Sequence, residues 1–208
     1  MNDLITVMHS NDLFCVNWAC FGPTENENAD WVIERFLHRK QTQDVTHGTF
    51  KTLIQNPNYF SWFLPHAPGP RIDKQDVRIL HDCGDEQSIA QADHHHSKLR
   101  RIDAKSVVYK HAQINHYITK SKLEFLLRMD RGRGSKPKGE TYKLRHGGAY
   151  FASAKKATVQ DESILKRLAG AQKMARSLLS DSEVARCYFT LKQLHRRRLK
   201  LASENDIF

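Results

Sequence analysis

Asn115, His116, Tyr117 and Lys120 lie close together, just ahead of a stretch that reads as a helix. An imidazole and an ammonium beside a helix N-terminus can hold a metal ion or bind an anion such as a phosphate. Taken alone, His116 reads as well as a buried histidine satisfied by a neighbour, because histidine is a residue of intermediate burial. The other chemistry-bearing types are less ordered. Cys15, Cys20, Cys83 and Cys187 show neither metal-finger nor redox spacing, and four scattered thiols fit a reducing cytosol better than a disulfide framework. His94, His95 and His96 are adjacent, so their imidazoles point in different directions on any regular backbone. That run reads as an exposed loop rather than a metal site. Residues 131–148 are rich in Gly, Lys and Arg but contain no GxxxxGK[ST], so they form no Walker loop. They read as a loop over a phosphate-bearing substrate or as plain linker.

The elements that must position these residues follow from pattern and turn chemistry. Residues 112–118 alternate as a strand does, and the chain turns at 119–121. Ser121-Lys122-Leu123-Glu124 is a capping box that starts a helix, apolar along Leu123, Phe125, Leu126, Leu127 and Met129, with Gly132 as its stop. Earlier, residues 13–18 read as a strand closed by Phe21-Gly22-Pro23. Asp30 can cap a helix over 31–37, although an extended path is also open. Residues 49–54 and 77–82 read as strands, and 106–109 as the start of the strand leading into 112. Residues 59–66 form an aromatic cluster, mostly core material, and 87–101 a polar exposed loop. From Asp161, apolar residues recur at helical spacing through Leu179. Ser180-Asp181 breaks the run and recaps a second helix, with Val184, Tyr188, Leu191 and Leu194 expected inward. The two read as a helical hairpin over 161–203.

Several of these segments together resemble a known family. Ile114-Asn115-His116-Tyr117, Thr119-Lys120-Ser121, Glu124-Phe125 and Arg131-Gly132 resemble a block near the C-terminal end of GT-A glycosyltransferases of the bacterial family-2-type and family-92-type groups. Asn17-Trp18, Phe21-Gly22 and Val32-Ile33-Glu34-Arg35-Phe36 are similar to the same enzymes' "W…FG…ERF" block, and residues 49–54 to a "K-S-I-hydrophobic" stretch that contains Lys51. The resemblance spans roughly residues 11–134. It implies an α/β chain: the C-terminal part of a GT-A fold over 1–135, a basic Gly/Lys-rich loop over 136–160, and the hairpin. It also implies sugar transfer from a nucleotide-sugar donor to a hydroxyl of a glycan or lipid acceptor. Glu34 then stands as catalytic base, since inverting transfer needs a group that removes the acceptor's proton. Read without the resemblance, Glu34 pairs with Arg35 or Lys40 on a solvated face. His116 then stands as a ligand of Mn²⁺ or Mg²⁺, with Lys120 on the diphosphate. Asn115 and Tyr117 orient the histidine or the sugar, Gly22 lies at the donor sugar, and Lys51 and His66 line the substrate cleft. The sequence departs from the family at Pro23-Thr24-Glu25, and no Asp-x-Asp occurs in it. One histidine cannot hold the metal usefully, so the chain is expected to be truncated or degenerate, binding metal and nucleotide sugar poorly or not at all by itself.

Composition sets the outer bounds. The chain has 208 residues, 39% hydrophobic and 27% charged, enough for one domain with a proper core or one domain plus an appendage. No apolar run is long enough to span a bilayer, and the first residues lack a signal-peptide pattern. A cytoplasmic chain, at most peripheral to the inner face of a membrane, is the expectation. The net charge of +10 is uneven: residues 1–30 contain no Lys or Arg. A basic balance calls for anionic partners, and nucleotide sugar, anionic membrane and nucleic acid all qualify. A nucleic-acid-binding protein or a non-catalytic scaffold is the alternative. Arg131-Gly132-Arg133-Gly134 and Arg196-Arg197-Arg198 would serve the former, but no helix-turn-helix, RNA-recognition or zinc-finger pattern accompanies them. Lys192 and His195–Arg198 read as a solvated helix terminus favoured by the macrodipole, with docking on anionic membrane or nucleic acid as the sharper reading.

Overall fold

A computed structural model describes residues 11–24, 29–63, 66, 68–70, 76–83, 86–90, 101–131 and 148–204, together with Thr6 and Met8. The histidine run 94–96, the basic residues 132–147 and the expected helix stop at Gly132 lie outside these. The chain is mixed α/β. It divides into two units, each discontinuous in sequence: residues 1–20 with 41–116, and residues 21–40 with 117–208. The segment 1–135 therefore contributes to both.

The first unit is built on β1, Leu13–Cys20. Along one edge it pairs antiparallel with β3, Phe50–Ile54. Along the other it pairs in parallel with β6, Asp76–His81, through its first residues and with β8, Ile114–His116, through its last. β7, Glu86–Ala90, extends the sheet antiparallel to β6. Both faces of β1 are covered, so it reads as a continuous run rather than an alternating one. Leu13, Cys15, Phe50, Phe60, Val77 and Ile79 make the core on one face. A small antiparallel pair, β4 (Phe60–Phe63) with β5 (Pro68–Pro70), completes the unit. Trp62 lies so close to Gly69 that a Cβ there would clash with the indole. Two expectations fail here. Residues 87–90 are strand, because their backbone completes the β6 ladder despite polar side chains. The chain before β8 is a single 3-10 turn, Ala104–Ser106, capped by Asp103 rather than a strand start.

The second unit is mainly helical. The expected helix over 31–37 is one turn, α1, Val32–Arg35, with Trp31 and not Asp30 at its N-cap. Phe36 is extended and fully buried, and His38–Arg39 forms β2. Pairing explains the early stop: β2 is antiparallel to β9, Val159–Gln160, with His38 opposite Gln160 and Arg39 opposite Val159. Residues 136–160, expected as loop throughout, contain β9 and a helix, α3, Gly148–Ala154. α2, Lys122–Arg131, begins at the anticipated capping box: Ser121 Oγ accepts from Glu124 N at 3.2 Å, and Glu124 Oε2 accepts from Ser121 N at 3.3 Å. A 3-10 stretch, Ser163–Arg167, leads into α4, Leu168–Leu179, and then α5, Ser182–Glu204. Asp181 caps α5 through Oδ1, which accepts from Glu183 N and Val184 N. The hairpin forms, and α5 packs against α4 and α2. Val184, Tyr188, Leu191 and Leu194, however, are exposed rather than inward. Among the described residues no helix is long and apolar enough to cross a membrane.

Candidate functional site

Register brings four residues of the first unit together. Val16, Trp18 and Cys20 project from one face of β1, since side chains alternate along a strand. Lys51 stands opposite Val16 and His116 opposite Cys20, so both join that face. The His116 imidazole stacks on the Trp18 indole, centroids 3.8 Å apart and planes within 10°. His66 approaches the same indole at 5.3 Å, and Lys51 Nζ lies 5.9 Å from its ring centroid. Cys20 Sγ is 4.0 Å from His116 Nδ1. His66 Nδ1 donates to the Phe50 carbonyl at 3.0 Å, which fixes its tautomer. Asn115, on the other face of β8, accepts from Gln113 Nε2 at 2.8 Å. Burial lowers the pKa of the Lys51 ammonium.

A second layer holds β1 in place. His47 is fully buried and its Nε2 accepts from Cys20 N at 2.9 Å, so the ring proton is on Nδ1, which faces Thr42 O and Tyr109 Oη. Tyr109 Oη donates to Trp18 O at 2.6 Å, and Asn17 Nδ2 to His47 O at 3.0 Å. Trp18 Nε1–H is buried with no hydrogen-bond partner among the described residues. An unmet buried donor costs about 1–3 kcal/mol. Trp18 was visible in the sequence only as part of a motif. Its place at the centre depends on β3 and β8 meeting β1, which no local pattern encodes.

Gly22, Glu34, Tyr117 and Lys120 belong to the second unit. Gly22 N donates to His38 O, and a Cβ on Gly22 would stand 2.4 Å from Ala157 Cβ and 2.5 Å from Ala154 O. Close packing alone therefore requires glycine there. Tyr117 packs against Phe21 at 4.9 Å. Among the described residues Lys120, with φ 53°, is the one non-glycine residue with positive φ, and the buried Oγ1 of Thr119 before it has no partner. The left-handed region costs a lysine about 1–2 kcal/mol. Glu34 is half-buried in α1, and its carboxylate has no hydrogen-bond or ion partner among the described residues. Arg35 pairs with Glu124 at 2.8 Å and Lys40 Nζ donates to Ser153 Oγ at 3.1 Å, so the expected pairing with Glu34 is replaced. Burial pushes the Glu124 carboxyl up, but hydrogen bonds from Arg35 and Ser121 outweigh it and hold the carboxyl below the usual range.

The divalent cation implied by the resemblance finds no matching donor set. Mg²⁺ and Mn²⁺ take oxygen ligands, whereas the thiol of Cys20 and an indole stand beside His116. Among the described residues no group of three or more His, Cys, Asp or Glu side chains is arranged to hold a metal ion. Comparisons of the chain with family models, with curated proteins and with solved structures return no match.

Proposed function

We propose that the chain acts in glycosyl transfer from a nucleotide-sugar donor, as the C-terminal part of a GT-A-like enzyme, and that the Lys51–His66–His116 cluster around Trp18 binds the donor's diphosphate. The observation that carries this reading is the cluster itself. Three of the residues singled out from separate motifs gather on one indole, and of these Lys51 and His116 can donate to anionic oxygen. In the reaction, the acceptor oxygen bonds to the anomeric carbon, the bond from that carbon to the diphosphate oxygen breaks, and the acceptor proton passes to solvent; Glu34 belongs to the other unit and is assigned no step. Lys51 offsets charge on the departing nucleoside diphosphate. No step is assigned to a metal, because the donor set does not fit one. Weak donor affinity follows, consistent with a chain lacking Asp-x-Asp.

Two measurements test this. Titration with UDP- and GDP-sugars at millimolar concentration should shift the Trp18 indole resonance, and the shift should be lost in His116→Ala. Nucleoside diphosphate release in the presence of acceptor glycans should be slow, and should fall at least tenfold in Lys51→Met. Wild-type protein that neither shifts nor releases overturns the reading. Salt-sensitive RNA binding in the same preparation would favour the nucleic-acid alternative.

A further inference from the structure

α5 is almost uncovered. Across its 23 residues no side chain is buried. Leu191 is 65% exposed, Phe189 55% and Leu194 51%; on α4, Met174 is 68% exposed and Leu178 58%. Single exposed leucines are ordinary, but these recur in a pattern. Leu191, Leu194, Arg198 and Leu201 are spaced three, four and three positions apart, so they share one helix face. Arg197 flanks that face, Arg196 and Lys200 lie on the far side of the same C-terminal stretch, and between Glu183 and Glu204 the helix carries no acidic residue.

We propose that the α4–α5 hairpin docks on an anionic lipid surface. Leu191, Leu194 and Leu201 enter the acyl boundary, Arg197 and Arg198 beside them engage headgroup phosphates, and Arg196 and Lys200 on the far side add long-range attraction to the anionic surface. Charge selects this occupant. A second copy would set one basic helix against another, with Arg198 inside the apolar seam. At a bilayer the same Arg198 lays its stem along the leucines and extends its guanidinium to a phosphate. Nucleic acid would satisfy the cations and leave the leucines in water. The helix is too polar to cross a bilayer, and the combination of bulky apolar side chains with Lys/Arg is that of a helix lying in the interface. The proposal uses different residues from the diphosphate cluster and does not depend on it.

The test is co-sedimentation of the full chain with vesicles of phosphatidylcholine alone and of equal parts phosphatidylcholine and phosphatidylglycerol. Binding is expected to the anionic vesicles and not to the neutral ones. It should weaken more than about tenfold in Leu191→Glu/Leu194→Glu and in Arg196→Gln/Arg197→Gln/Arg198→Gln. Both variants change exposed positions, so their thermal melts should match wild type and separate lost binding from lost folding. Equal binding to both vesicle types, no binding to anionic ones, or undiminished binding by the double glutamate variant overturns the proposal. So does a dimer that the glutamates dissolve, or RNA binding tighter than vesicle binding.

Discussion

Lys51 can neutralise a phosphate only while it is charged, and burial beside Trp18 disfavours that charge. Its proton is therefore lost below the ordinary lysine value of about 10.4. In the proposed reading, donor affinity falls as pH rises through that lowered value. Lys51→Met should weaken binding at neutral pH and abolish the alkaline decline, which calorimetric titration across pH would reveal. Gly22 gives the opposite lesson, since its surroundings require it whatever the site does. Ala154 O is backbone and cannot swing aside from a new Cβ. Gly22→Ala is expected to cost about 1–3 kcal/mol of stability, measured by denaturant unfolding.

At the scale of elements, the entry to α2 is the best-determined point in the second unit. Ser121 and Glu124 satisfy each other, and Arg35 reaches Glu124 across 2.8 Å with side chains only 17% and 7% exposed. His195 of α5 stands 3.9 Å from the same carboxylate. Because Glu124 titrates below its unfolded value, its contribution is fully present above the ordinary glutamate pKa of about 4.3 and is lost as pH falls through the lowered folded value. Glu124→Gln should cost about 2 kcal/mol at neutral pH and flatten the acid limb of the stability profile, as followed by urea melts from neutral to acid pH. The caps at Ser121 and Asp181 were legible because a cap is a local event, written in residues three positions apart. The short α1 was not. Residues 31–37 favour helix locally, and only the distant β9 claims His38 and Arg39 for a strand. Residues 87–90 are strand because their backbone pairs with the preceding β6, which the polar Gln87 and Ser88 do not signal. The inward face expected for the hairpin was read from periodicity, which marks an apolar stripe but not what covers it.

On the scale of the whole molecule, residues 21–40 and 117–208 make one unit although 76 positions of chain, 41–116, lie between them. The excursion 21–40 supplies what the later segment lacks. Arg35 pairs with Glu124, Arg39 with Asp161 at 2.7 Å, β2 with β9, and Phe21 and Phe36 fill buried positions. A fragment of residues 117–208 would leave two largely buried carboxylates without their guanidinium partners. Breaking such a pair from one side costs about 3–5 kcal/mol, and two losses rival the whole stability of a typical domain, about 5–15 kcal/mol. The α4–α5 helices alone cannot compensate, because most helical stability in a protein comes from tertiary packing and α5 buries no side chain. The fragment is therefore expected to show partial helicity, a broad non-cooperative melt and narrow amide dispersion. Adding a synthetic peptide of residues 21–40 should sharpen both readouts, and an Arg35→Ala/Arg39→Ala peptide should not. A cooperative melt from 117–208 alone would mean that the ion pairs decorate a fold already complete without them. The strand pairing at His38–Arg39 would then be its consequence rather than its condition.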